Sequence, residues 1–409
     1  MKLYSIDDFR IDNFRLDRYR LDNYSIDGAS GGGTIIDHST PVTVVNANYD
    51  TSGNGGRKLV RLSNGWLVCA VISNGDTIRL YKSVDNGTTW GALGYRSINA
   101  GVQVAITSYG TMLHIMYNWA SGTITNVDTF DALNANGGTW NTFAGWVSKN
   151  IDSSQSSIGT GISIAVDSSG NLYAAWASKN ATYPNSSNIR YSKSTDGGAT
   201  WATPTQITTI NNSNSNYHAP CIVLAGTTPI IFTQYIDYTT YTIKAYVFTS
   251  SWTEKNVYQA ANYIQADPCA VVDGNGHIHV VWTGRDSTDA DYLNIRYSKS
   301  TDGGATWSSP IKLTNGNLYR QTRPSITCDK SNRIYVVWAG DTPDTPGNNF
   351  ALRQIVYDGT WGSITDVVEG AASNNDVSTC ENYKDFTQPL TIWAVVGSSV
   401  KFRGVWREA

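Results

Sequence analysis

The side chains best suited to chemistry in this 409-residue chain are carboxylates and aromatics, and they are unevenly spread. Asp286, Asp289 and Asp291 crowd one short stretch, and Asp341 and Asp344 another; together they offer hard oxygen donors of the kind that hold Ca²⁺. No EF-hand spacing is present, so these runs read first as solvated loop charge and no cofactor is expected. The 14 Trp and 24 Tyr provide flat faces on which sugar rings stack, with amides and carboxylates nearby to fix hydroxyls. His114, inside the apolar run MLHIMYNW, reads as a core histidine satisfied by its neighbours. Cys69, Cys221, Cys269, Cys328 and Cys380 are widely separated, with no CxxC and no Cys/His metal spacing. Cys221 and Cys269 each follow a proline and precede an apolar pair, the setting of small buried core residues.

What positions these groups is a repeat. NIRYSKSTDGGATW occurs at 188–201 and again, unchanged, at 294–307, and LYKSVDNGTTW at 80–90 is a degraded copy. The shared core is Ser-x-Asp-x-Gly-x-x-Trp, with Asp85 and Trp90, Asp196 and Trp201, and Asp302 and Trp307 at its fixed points. An Asp can accept from the amides of its own turn, Gly takes the positive φ such turns need, and the Trp can lie over adjacent strands. The motif resembles the Asp-box, or BNR repeat, of sialidase-like β-propellers. That resemblance covers residues from about 55 to 409 and implies a structural role for the boxes, on outer turns away from any catalytic funnel.

Each repeat unit is wider than the box: an apolar strand, a tight turn, a second apolar strand, a variable loop, a third strand, then the box or its remnant. Seven units fit, with first turns at Asn64-Gly65, Tyr109-Gly110, Ser169-Gly170, Ala225-Gly226, Asn275-Gly276, Ser331-Asn332 and Gln388-Pro389. Second strands such as IHVVW and IYVVW are apolar throughout, as strands covered on both faces must be. The last unit lacks a fourth strand, and the strand-like segment 34–45 would supply it. The expected fold is therefore all-β: a single seven-bladed β-propeller over residues 34–409, closed by strand 34–45, with a six-bladed ring as the alternative.

Residues 1–28 carry a second repeat, of period five: YSIDD, FRIDN, FRLDR, YRLDN, YSIDG. A helix would scatter that period around its axis, so an extended ribbon is expected. Its stripe of Tyr4, Phe9, Phe14, Tyr19 and Tyr24 is too short to bury itself and reads as an assembly surface. Residues 29–33 form a Gly-rich joint.

In propellers of the resembled kind, the binding face is built from the starts of first strands and the loops joining second to third strands. The resemblance places Trp119, Tyr183, His218, Tyr235, Tyr238, Asp267 and Tyr292 there as ligand-binding candidates. It further implies, for a sialidase, an arginine clamp from Arg57, Arg285 and Arg323, Asp76 as acid, and Tyr383 activated by Glu381. The Arg-Ile-Pro motif is missing, since Lys58-Leu59 follow Arg57, and the chain has only four Glu. A polysaccharide lyase of this fold would instead use His218 or His114 as base.

A net charge of −3 gives no footprint for nucleic acid, and no 18-residue apolar run suggests a membrane span. The amino terminus lacks the apolar core of a secretory signal, yet the Trp-, Tyr-, Asn- and Thr-rich composition looks extracellular. These observations lead to an expectation of a non-enzymatic structural, receptor-binding or glycan-binding appendage of a larger extracellular particle, best suited to a phage virion. It would be homo-oligomeric, held to other virion or assembly proteins through residues 1–28, with a cell-surface glycan as ligand. The alternatives are a glycan-active enzyme, either a sialidase-type glycoside hydrolase or a polysaccharide lyase, and a protein-binding scaffold. An appendage predicts a featureless funnel; an enzyme predicts carboxylates, or a His/Tyr pair, meeting there.

Overall fold

The computed structural model describes residues 34–53, 56–98, 103–119, 124–314, 319–341, 350–368, 374–380 and 386–408. The five-residue repeats with Tyr4, Phe9, Phe14, Tyr19 and Tyr24, and the glycine joint, lie outside the described residues. The rest is a seven-bladed propeller of antiparallel sheets. Blade 1 comprises Leu59–Arg61, Leu67–Ser73, Thr77–Ser83 and Gly91–Ser97; blade 2 runs from Val104–Tyr109 to Val147–Asp152; and blade 3 from Gln155–Val166 to Thr205–Gln206. Blade 4 runs from Ser215–Ala225 to Trp252–Ala261, blade 5 from Gln265–Val272 to Ile311–Lys312, and blade 6 from Gln321–Cys328 to Thr365–Val368.

Blade 7 takes strands from both ends of the chain. Asn374–Thr379, Phe386–Val395 and Ser399–Arg407 lie in order, and Ile35–Val45 pairs outside the last, from Ile35 opposite Arg407 to Val45 opposite Val400. One expectation needs correction here. Gln388-Pro389 is not a turn but lies within the second strand, at a shift in register between Gln388 and Thr391. Proline reads as a turn signal, but a bulge frees its position from the ladder and admits it to a sheet interior.

The second strands of blades 1 and 6 are buried at every residue because a neighbouring blade covers each face. Seven apolar clusters among the described residues fill the seven blade-to-blade seams, the last joining Phe386, Ile392 and Phe402 of blade 7 to Leu59 and Leu67 of blade 1. Trp176, Trp282 and Trp338 lie within second strands and are fully buried. Their indole N–H groups donate to Asp152 at 3.1 Å, Gln265 at 2.8 Å and Gln321 at 2.5 Å, which satisfies the single polar atom each would otherwise strand.

The three boxes form the hairpins between third and fourth strands. In the first, Ser83 donates its hydroxyl to Asp85 at 2.7 Å and accepts the Gly87 amide, while Thr89 donates amide and hydroxyl to the same carboxylate. The Asp196 and Asp302 turns repeat this network. Gly87 sits at φ +90°, and a Cβ there would collide with the Phe402 ring. Trp90 and Trp307 pack against Phe402 and Phe232 of the preceding blades, at 5.2 and 5.3 Å between ring centroids.

Candidate active site in the funnel

Antiparallel blades have two ends. One carries the first-to-second and third-to-fourth hairpins, and so the boxes; the other carries the second-to-third loops and the starts of first strands. At this second end the innermost strands of blades 3 to 7 all break register at the same place: between Ile158 and Ile162, His218 and Cys221, Ala266 and Cys269, Thr322 and Ser325, and Asn375 and Ser378. Gly161, Ala219, Asp267, Arg323 and Asp376 occupy these bulges, with φ of 113°, 47°, 54°, 54° and 53°. A bulge re-aims the side chain it carries. Left-handed backbone at four non-glycine residues costs on the order of 1–3 kcal/mol each and is found where structure serves a site.

Three of those five columns carry ionisable groups, on adjacent blades 5, 6 and 7. Arg323 Nη1 lies 2.9 Å from Asp376 Oδ1, and the same guanidinium pulls down the Asp267 carboxyl, which burial raises above its usual range. Arg323 and Asp376 line a cavity of about 420 Å³ with Asn48, Tyr49, Asp50 and Asn74. Burial pushes the Asp376 carboxyl up to about 6; Arg323 opposes this, and Asp50, a neighbouring carboxyl that also hydrogen-bonds Asp376, adds to it. Thr51 fixes the Asp376 strand by donating to its carbonyl at 2.6 Å. Beneath them Lys58 is fully buried, its ammonium donating to the carbonyls of Gly53 at 3.0 Å and Gly56 at 2.6 Å. Burial lowers that ammonium to about 8 against the pull of Asp50 and Asp376.

The structure brings together some of the expected site residues and disperses others. Arg323 and Asp267 join the cluster. His218 is half-buried at the start of blade 4, and burial, helped by the Lys179 cation, lowers its pKa. Arg57 does not face the funnel. It crosses the propeller axis, buried, to donate to Thr379 at 3.0 Å, Ser325 at 3.3 Å and the Ala270 carbonyl at 3.0 Å, bolting blade 1 to blades 5, 6 and 7. Asp76 is exposed on the blade 1 rim and accepts from Thr77, and Arg285 leans on the Ala290 carbonyl in the blade 5 loop. The three arginines thus form no clamp.

Among the aromatic candidates, Tyr235 is stacked on Tyr217 at 4.6 Å under the Lys244 ammonium, within blade 4 packing. Tyr238 and Tyr292 are exposed, and Tyr183 is half-exposed on blade 3. Glu381, Tyr383 and Asp344, and the side chain of Trp119, lie outside the described residues. The acidic loop of blade 5 is no oxygen cage: Arg296 reaches Asp286 at 2.8 Å and Lys312 reaches Asp289 at 2.5 Å, consuming the lone pairs a Ca²⁺ would need. His114 is buried with Nδ1 2.9 Å from the Thr129 hydroxyl, a core position that lowers its pKa to about 4. All five cysteines are buried thiols, none of them in a disulfide.

Asp376, Asp50 and Lys58 were not singled out from sequence. The turn expected at Gln388-Pro389 places the last inner strand too late in the chain; that strand is Asn374–Thr379. Laying Asn375-Asp376-Val377-Ser378 on Thr322-Arg323-Pro324-Ser325 puts Asp376 in the Arg323 column once the strand register is known.

No known protein family and no curated protein matches this chain. Among solved structures, it superposes on an ulvan lyase that defines a new family of polysaccharide lyase, with TM-score 0.64 and 11% identity over 90% of this chain and 96% of that one. The lyase bound to GlcA(1-4)Rha3S gives TM-score 0.58 and 12% identity over 88% and 96% of the two chains. An α-L-arabinanase of Penicillium chrysogenum follows at 0.49 and 16% identity over 90% and 98%. The chain thus shares its seven-bladed propeller fold with the ulvan lyase. The expectation of a non-enzymatic appendage is corrected by these findings: the propeller it superposes on at TM-score 0.64 is that of a polysaccharide lyase, and its funnel gathers ionisable groups where an appendage would leave it featureless.

Proposed function

We propose that this chain is a glycan-active enzyme that cleaves glycosidic bonds in the funnel cavity between blades 7 and 1, with Asp376 as proton donor. The observation that carries this reading is a carboxyl held up to about 6 in an open cavity, hydrogen-bonded to a second carboxyl and touching an arginine. Such an acid keeps its proton under mildly acidic conditions and is strong enough to give it up, as a general acid for a leaving glycosidic oxygen must. As the bond to the anomeric carbon breaks, the proton passes from Asp376 to the departing oxygen, and Arg323 stabilises the carboxylate left behind. Asp267, on the other blade flanking Arg323, is the second carboxyl, taking the proton of the attacking water.

A second reading, β-elimination from a uronate-containing polysaccharide, is favoured by one observation: burial and the Lys179 cation lower the pKa of His218, setting a base next to a cation that could neutralise a uronate carboxylate. Incubating the chain with neutral and uronate-rich polysaccharides separates the two. New reducing ends without ultraviolet absorbance support hydrolysis, and reducing ends with the absorbance of unsaturated uronates support elimination. Neither signal across the panel would overturn both.

A further inference from the structure

At the end of the propeller opposite the funnel, three blades build the same first hairpin around an aspartate. In blade 3, Asp167 Oδ1 accepts the amides of Ser169 and Asn171, while Oδ2 accepts the Asn171 side-chain amide at 2.8 Å and the Tyr173 hydroxyl at 2.9 Å. In blade 6, Asp329 Oδ1 takes the amides of Ser331 and Arg333, and Oδ2 takes the Arg333 guanidinium at 2.7 Å and the Tyr335 hydroxyl at 3.3 Å. Blade 5 keeps the aspartate and the amide bonds, from Asn275 and His277 to Asp273 Oδ1 at 2.9 Å each, but replaces both outer partners with imidazoles.

The replacement changes the chemistry available. Asn, Arg and Tyr serve as donors in blades 3 and 6, whereas a neutral imidazole can turn a lone pair toward the same point. Asp273 Oδ2 lies 3.2 Å from His277 Nδ1 and 3.2 Å from His279 Nε2, and the three atoms fall within 4.8 Å of one another. Bonds of about 2.0–2.1 Å to a tetrahedral Zn²⁺ set ligand atoms roughly 3.3–3.4 Å apart. His279 Nδ1 is 2.7 Å from the Tyr297 hydroxyl, a second contact of the kind that orients a metal-bound ring and leaves Nε2 its lone pair. Asp273 and His279 are buried, His277 is half-exposed, and Asp273, Gly274 and Gly276 line a cavity of about 480 Å³ that admits solvent.

We propose that Asp273, His277 and His279 form a site for a divalent transition metal of the Zn²⁺ class, with three protein ligands and a fourth position left to solvent beside the half-exposed His277. Two imidazoles and one carboxylate suit Zn²⁺ and exclude Ca²⁺ or Mg²⁺, which want oxygen. The site lies at the opposite end from the funnel cavity and does not depend on the activity proposed there.

The repeats themselves supply the control. His277→Asn with His279→Tyr installs the residues blade 3 carries at these positions, so the hairpin keeps two donors for Asp273. The untagged full chain is stripped with a chelator and titrated with Co²⁺ as a visible probe, then with Zn²⁺ in competition; His277→Asn alone, at a half-exposed position, is measured beside the double variant. The expected result is one equivalent of Co²⁺ with tetrahedral absorption, displaced by Zn²⁺. Affinity should fall at least tenfold in His277→Asn and be lost in the double variant, whose metal-free melting matches the parent. Absence of stoichiometric binding in the parent, or binding retained by the double variant, would overturn the proposal.

Discussion

Asp376 shows how a single residue acquires chemistry from its surroundings. Its carboxyl is raised by burial, lowered by Arg323 and raised again by Asp50. An acid whose folded-state pKa lies above its unfolded value favours the fold most at low pH, and that contribution disappears as pH rises through about 6. The same titration removes the catalytic proton, so kcat/KM should fall as pH climbs through about 6; a pH–rate profile checks this. Arg323→Ala removes the charge that holds the carboxyl down, and its falling limb should move to higher pH than the parent's. An unmoved limb would mean that Asp376 does not govern the rate. Little of this was legible in the sequence: Asp376 is one Asp among many, and only a strand register places it beside Arg323. Arg57, which the sequence offered as a clamp, spends its guanidinium on the axis because its strand starts inside the ring.

At the scale of elements the sequence was far more explicit, because identical turns need identical residues. The Ser-Asp-Gly-Trp hairpins adopt one network in three blades, and six of the seven first turns fall where Gly, Asn or Ser marked them. The seventh failed because proline in a strand and proline in a turn look alike until the neighbouring ladder is known. Asp196 and Asp302 are held down to about 2, chiefly by the hydroxyls of Thr200 and Thr306, then by those residues' amides and by the serines of the turn. A lowered acid contributes stability above its unfolded pKa and loses it as pH falls through the folded value. Melting curves between pH 5 and pH 2 should therefore show a smaller acid-induced drop for Asp196→Asn with Asp302→Asn than for the parent. Trp338 tests the second strands: it is fully buried and bonded to Gln321, so Trp338→Ala should cost about 3–5 kcal/mol in chemical denaturation.

As a whole molecule the ring is held shut by one strand from its beginning. Ile35–Val45 covers the edge of Ser399–Arg407, buries Val44 and partly buries Ile36, Val42 and Val45 against blade 7. A chain beginning at Asn46 should lose on the order of 5 kcal/mol relative to one beginning at Thr34. It should also associate at high concentration through the bared edge, as denaturation and light scattering would show. This closure was legible because seven units with one strand missing, and a spare strand at the other end, admit few arrangements. A closed ring is what lets strands far apart in sequence bring Asp50, Asp267, Arg323 and Asp376 to one end. The claim that this end cleaves glycans is tested most directly by comparing turnover by the parent and by Asp376→Asn on whichever polysaccharide the parent degrades. Loss of a proton donor should lower kcat on the order of 10²–10⁴-fold with the fold intact. Equal turnover by the two proteins would contradict the assignment.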